Sequence, residues 1–175
     1  MATAPVTFCG YEPVYTESTR VTWNSPTAAG VAAAGAAGTY TATVLVPANA
    51  LLLDVILHGV ALWNAGTSAT GKVGDADDDD RFFTDVNLKA TDLLAGESIA
   101  LSGGTGLSGG QEGADIANSH WLSRWSTSVR TIKLIVTLVG TAATTGETIL
   151  QVVWARRPDA RPGGRTIPQG VFVAT

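Results

Sequence analysis

A single cysteine, Cys9, leaves no partner for an intramolecular disulfide and excludes a zinc site built from several thiolates. Charge is scarce as well: Asp, Glu, Lys and Arg together make up 15% of the 175 residues, and the net charge is −4. Simple electrostatic attraction to nucleic acid is therefore not favoured. The longest apolar run, residues 50–63, is too short to span a bilayer as a helix and carries Asp54 and His58. The first residues, MATAPVTFCG, lack the basic segment followed by an apolar one that marks a signal peptide. The expectation is a soluble protein made in the cytoplasm, with no membrane and no nucleic-acid partner. Three motifs are also missing: the dinucleotide fingerprint, the P-loop and a heptad seam. No cofactor is expected.

What is present is apolar and β-forming. Apolar residues reach 45%, enough for one compact folded domain at this length. Residues 39–47, TYTATVLVP, alternate in the manner of a strand and stop at a proline. In residues 51–63, Asp54, Ile56, His58, Val60 and Leu62 share one face, and Val55, Leu57, Gly59, Ala61 and Trp63 share the other. Apolar residues on both faces predict a central strand, or one partly covered by a neighbouring subunit. ATGKVG, RFFTDVNL and ESIAL read as shorter strands, while IKLIVTLVG and TILQVVWAR form a hairpin across a loop containing Gly146. The single helix candidate is residues 114–125, where Ile116, His120 and Trp121 fall at helical offsets.

Many short strands joined by glycine-rich turns predict an all-β fold, a β-sandwich or jelly-roll-like domain with extended N- and C-terminal arms. Residues 26–40, PTAAGVAAAGAAGTY, are low in complexity and broken by Gly30, Gly35 and Gly38, so a loop or extended arm is favoured over a helix. The expected division is an N-terminal arm or loop-rich segment over 1–38, a β-sandwich domain over 39–157, and a C-terminal arm over 158–175.

The stretch KVGDADDDDRFF, residues 72–83, places five aspartates in six positions. Asp75, Asp77 and Asp79 occupy positions 1, 3 and 5 of a calcium loop, but Asp80 and Val86 stand where an EF-hand needs Gly and Glu. That geometry fails, and a looser surface calcium site stays open as an alternative. General acid–base catalysis wants two carboxylates in unlike environments, which a run of adjacent aspartates does not supply. The expectation is an exposed turn with no required metal, kept in water by its own repulsion.

The other candidate residues carry little chemistry by sequence alone. His58, inside an apolar strand, reads as a hydrogen-bonded packing residue. His120 follows Ser119, but adjacency in sequence does not make a triad, and no nucleophile elbow is present. No enzyme is expected. Trp121, Arg124 and Trp125 lie close together and suit a core, a protein interface or a ligand-stacking surface. Arg156, Arg157, Arg161 and Arg165 make the C-terminal end basic, whereas 11 acids fall between Asp54 and Asp115. An acidic middle and a basic tail suit binding to copies of the same chain or to an acidic neighbour. Phe172, within VFVA, is the apolar anchor expected of such a tail.

The segment DVILHGVALWNAGTSATGKVGDADDDDRFF resembles a recurring pattern of tailed-bacteriophage virion proteins. In that pattern an apolar strand leads to an aromatic residue, a Gly-Thr turn, a second strand and a Gly-Asp-rich turn. TIKLIVTLVGTAATTGETILQVVWAR is similar to the closing hairpin of the same proteins, with Gly140, Thr145-Gly146 and Val152, Val153 and Trp154 in the matching places. The resemblance covers residues 39–156 and implies a β-sandwich subunit, often trimeric, of the head-decoration or cement type. It would bind the major capsid protein on the capsid surface of the virion, after synthesis in the host cytoplasm. The alternatives are a carbohydrate-binding module on a virion surface, using Trp121 and Trp125, and a head-fibre, tail or adaptor component.

Overall fold

The computed structural model describes residues 14–26, 34–103 and 125–156. Among these the chain is β throughout, apart from one 3-10 turn at Leu101–Gly103. In chain order the strands are β1 (Val14–Thr22), β2 (Gly38–Val46), β3 (Ala50–Ala61), β4 (Ser68–Gly74), β5 (Phe83–Asn87), β6 (Ser98–Ala100), β7 (Trp125–Ser126), β8 (Arg130–Val139) and β9 (Glu147–Arg156). One sheet runs β1-β9-β3-β6, with the short β7 also paired to β3, and the other runs β2-β8-β4-β5. Every pairing is antiparallel. Leaving β7 aside, eight strands in two four-stranded sheets, with consecutive strands mostly changing sheet, make a double-sheet jelly roll. The expected all-β sandwich is what forms.

Period-two patterning explains the core. On β8, Ile132, Leu134, Val136 and Leu138 are buried and the residues between them are not. β9 repeats the pattern with Thr148, Leu150, Val152 and Trp154. β2 contributes Tyr40, Val44 and Val46 from the opposite edge, and β3 contributes Leu52, Val55 and Leu57. A register shift between Leu52 and Asp54 marks a bulge. That extra residue moves Val55 and Leu57, rather than Asp54 and Ile56, onto the inner face. β3 is central, as its sequence suggests, and its outer face carries half-buried Ile56 and His58 and exposed Val60.

Two expectations change: residues 132–140 and 148–156 form no hairpin, because β8 pairs with β2 and β4 in one sheet and β9 with β1 and β3 in the other, and the segment before β2 contains a strand. The segment before residue 39 is not all arm: β1 pairs with β9 through nine consecutive residues, from Val14–Ala155 to Thr22–Glu147. Its sequence, VYTESTRVT, hid it because only Val21 is buried. Backbone pairing holds this strand, and backbone pairing leaves no hydrophobic period to read. The helix expected over 114–125 lies outside the described residues from 114 to 124, and its last residue, Trp125, is in β7.

Candidate functional site

The two ends of the sandwich differ in kind. At one end, called here the closed pole, sit the β3–β4 and β8–β9 loops. The indole of Trp63 is buried there, and its Nε1 donates to Thr148 Oγ1 at 3.0 Å. Asn64 Oδ1 accepts the amides of Thr144 and Thr145 at 2.8 and 3.0 Å, and Thr145 Oγ1 donates to the Leu62 carbonyl at 3.1 Å. Gly66 and Thr67 amides reach the carbonyls of Thr141 and Val139 at 3.0 and 2.9 Å. Lys89 Nζ donates to the Ala65 and Gly66 carbonyls at 2.6 and 3.0 Å. Gly146, at φ 143°, lies so close to Trp63 that a Cβ there would collide with the ring. Trp63, the Gly-Thr turn, Gly140 and Gly146 were separate pieces of the virion-protein pattern in the sequence, and they meet at this pole.

The opposite, open pole gathers the start of β1, the end of β9, β7, the start of β8 and the β4–β5 loop that holds the aspartates. Leu51 pairs with both Trp125 and Ala155, Arg156 pairs with Ala50, and Val14 pairs with Ala155. The Ser102 amide and hydroxyl both donate to the Asp54 carboxylate nearby. Residues 1–13, 104–124 and 157–175 therefore all join the described chain toward this one pole. Of the interface candidates, Trp125 and Arg156 come together here, half-buried and exposed respectively, with the Arg156 guanidinium 5.9 Å from the centre of the Tyr15 ring. Trp121, Arg124, Arg157, Arg161, Arg165 and Phe172 lie outside the described residues.

The aspartates are not one wet run. Asp75 is 5% exposed, against the expectation of a uniformly exposed turn. Arg130 Nη2 donates to its Oδ2 at 2.7 Å, and Arg81 Nε lies 3.5 Å from the same oxygen. Its Oδ1 accepts the amides of Asp77 and Asp78 at 3.1 and 3.2 Å and so closes the turn. Burial works against ionisation of Asp75. The Arg130 hydrogen bond, the two amides and the charge of Arg81 outweigh it and hold the carboxyl below the usual range. Sequence neighbours showed only repulsion, and the compensating Arg130 stands 55 residues away.

The rest of the loop is more open, with Asp77 and Asp79 exposed and Lys72 Nζ on Asp79 Oδ2 at 2.6 Å. A hydrogen bond shared by Asp78 and Asp80 raises the first carboxyl and lowers the second. The three carboxylates that approach one another, within 4.8 Å, are those of Asp78, Asp79 and Asp80, a different set from the 75-77-79 spacing. Asp75 is committed to arginine, and its turn is closed by amides. A chelator is accordingly expected to leave the melting temperature unchanged by calorimetry. A large drop restored by calcium alone would refute this.

Beside the loop lies an open cavity of about 440 Å³, lined by Asp75, Arg81, Trp125, Ser126, Ser128 and Arg130 among others. The Arg130 guanidinium also sits 5.7 Å from the centre of the Phe82 ring. Charge, an aromatic and hydroxyls meet there, but no nucleophile–base pair does.

Among the described residues, the one serine–histidine contact is elsewhere, on the outer face of the β1-β9-β3-β6 sheet. His58 Nδ1 lies 2.6 Å from Ser98 Oγ, and Nε2 lies 2.7 Å from Gln151 Oε1. A neutral amide replaces the carboxylate that a triad uses to stabilise the imidazolium, and the serine is on the nitrogen that the acid normally takes. This arrangement packs and orients a histidine, as its place in the strand suggested. Its partners, 40 and 93 residues away, were not readable from sequence.

No protein-family model and no curated protein matches the chain. Solved structures do. A chain of the cyanophage Pam1 capsid asymmetric unit aligns with TM-score 0.51 and 18% identity, over 90% of this chain and 94% of that one. A chain from the capsid of Ralstonia phage GP4 aligns with TM-score 0.47 and 16% identity, over 90% and 91% of the two chains. A chain from the acid-stable capsid of Helicobacter pylori bacteriophage KHP30 aligns with TM-score 0.45 and 14% identity, over 83% and 89%. The first of these shows a shared fold.

Proposed function

We propose that this chain is a non-enzymatic structural protein of a tailed-phage virion, of the decoration or cement type. It binds the outer surface of the major capsid protein and stabilises the shell. The observation that carries this reading is the jelly roll that aligns with a Pam1 capsid chain over nine-tenths of both lengths. It falls on a sequence whose residues 39–156 independently resemble virion proteins. Fold alone does not give function; the agreement of fold and sequence pattern supports it.

The mechanism is additive burial. The closed pole is tied by its own loops, whereas residues 1–13, 104–124 and 157–175 join the described chain toward the open pole, which carries Trp125, Arg156 and the acidic loop. The open pole is the side offered to the shell. An oligomer making several such contacts at once raises the effective concentration of each. The oligomer is a trimer in this reading. The outer sheet face carries Ile56, Val60, Ile149 and Val153, with Val60 45% exposed, and closed symmetry covers such a face without open-ended growth. Light scattering should give a trimer at micromolar concentration.

The test is a binding assay of purified protein against empty expanded shells. Co-sedimentation, together with increased resistance of the shells to heat, is expected. Binding to a glycan panel but not to shells would reject the reading in favour of a carbohydrate-binding module, for which Trp125 at the open cavity is the one described residue in favour. Binding to neither would leave a fibre, tail or adaptor role.

A further inference from the structure

Among the described residues, β1 is mostly uncovered, with Val21 its one buried side chain. It is the edge of its sheet, its outward backbone edge meets no strand among the described residues, and eight of its nine side chains stay unburied. β2, the long edge of the other sheet, differs: it buries Tyr40, Val44 and Val46 beneath its neighbours. Soluble proteins usually blunt such an edge with lysine, proline or a bulge. β1 has no lysine or proline, its two charges, Glu17 and Arg20, lie beyond Val14 and Tyr15 along the strand, and its nine pairs with β9 run without a register shift. At its open-pole end it is apolar on both faces. Val14 is 60% exposed on the outer face, and Tyr15, 36% exposed, stacks on Trp154 with ring centres 4.3 Å apart on the inner face. The chain leaves a template there for one more strand.

We infer that the β1 edge takes residues 171–174, VFVA, from a second copy of this chain by strand addition. Three features select this occupant. Its residues are β-formers that alternate, so Phe172 falls on one face while Val171 and Val173 fall on the other. Seated beside Tyr15, Phe172 extends the Tyr15–Trp154 ledge, and a valine meets Val14 on the opposite face. The third feature is length. From Arg156 to a free edge one strand beyond β1 is about 10 Å within one molecule, as two strand spacings. Residues 157–170, with Pro158, Pro162 and Pro168, extend to about 45 Å. That reach suits another molecule better than a short return onto the chain's own edge. Main-chain hydrogen bonds would supply affinity, and the alternating side chains would supply register.

The inference does not depend on the capsid reading, because its test contains no shell. Two differently tagged full-length proteins are made in a Cys9→Ser background, one with Thr16→Cys and one with Ala174→Cys. They are mixed at micromolar concentration and treated with a short bis-maleimide. A heterodimer well above that formed with a Thr41→Cys control is expected. Phe172→Asp in the Ala174→Cys partner should lower its yield by about tenfold, matching loss of one buried aromatic side chain. If Thr16→Cys disturbs the fold by circular dichroism, Ser18→Cys takes its place. Three results overturn the inference: no heterodimer above the control, a homodimer of the Thr16→Cys protein as the main product, or, from a further chain carrying both Thr16→Cys and Ala174→Cys, a closed monomer whose yield does not depend on concentration.

Discussion

Asp75→Ala is expected to lower the melting temperature by roughly 10 °C, while Asp77→Ala, two residues on, leaves it nearly unchanged. The contrast follows from burial. Removing one partner of a buried ion pair costs about 3–5 kcal/mol, because the remaining charge stays desolvated. In a domain of this size each kcal/mol moves the midpoint by about 2–4 °C. Asp75 also closes the turn through the Asp77 and Asp78 amides, so alanine removes a local fastening together with the charge. Asp77 is exposed, and exposed sites away from such features usually change stability by less than about 0.5 kcal/mol. Equal, small effects at both positions would mean that the loop is solvated throughout, as its sequence first suggests.

Acid adds a second signature. The folded-state carboxyl of Asp75 is held below the ordinary value of 3.8. Its contribution is therefore complete above that value and is lost as pH falls through the depressed one. Asp78 has the opposite sign, since its carboxyl is raised, and its contribution fades as pH rises. Denaturant titrations from pH 5 to pH 2 should show wild type losing stability more steeply than Asp75→Ala. Parallel curves would remove Asp75 from the account.

At the closed pole, Trp63→Ala should cost about 3–5 kcal/mol. It empties a fully buried indole site and leaves Thr148 Oγ1, also buried, without its donor. Gly146→Ala damages the same contact from the other side: its Cβ enters the Trp63 ring, and φ 143° disfavours any side chain. The two should not add. With the indole gone, the alanine methyl meets space instead of a ring, so Gly146→Ala should cost measurably less in the Trp63→Ala background. A double-mutant cycle by urea denaturation measures this coupling, and contacting residues commonly give about 0.5–3 kcal/mol. Strict additivity would show that backbone strain at Gly146, rather than the ring contact, sets its cost.

Much of the fold was legible because its strands announce themselves by alternation. IKLIVTLVG and TILQVVWAR are found as β8 and β9 within two residues at each boundary, and TYTATVLVP is found as β2. All-β class and the central place of β3 came from period-two burial, a local property of side chains, whereas the hairpin expected through Gly146 does not form: β8 and β9 are joined by that loop but lie in opposite sheets. β1 was not legible, because an edge strand held by backbone bonds has no need of an apolar face. The inward turn of Asp75 was not legible either. Five adjacent carboxylates show only their mutual repulsion until Arg130 and Arg81 are brought beside one of them. Likewise, the partners of His58 arrive from two other strands, and Trp63, Gly140 and Gly146 become one packed corner only after the sheets face each other. The sequence by itself determined where most of the strands lie and which of their faces are apolar, since these depend on neighbours along the chain. Tertiary structure alone decided which charge is buried, which glycine must remain a glycine and at which pole residues 1–13, 104–124 and 157–175 join the described chain, because each depends on residues tens of positions apart.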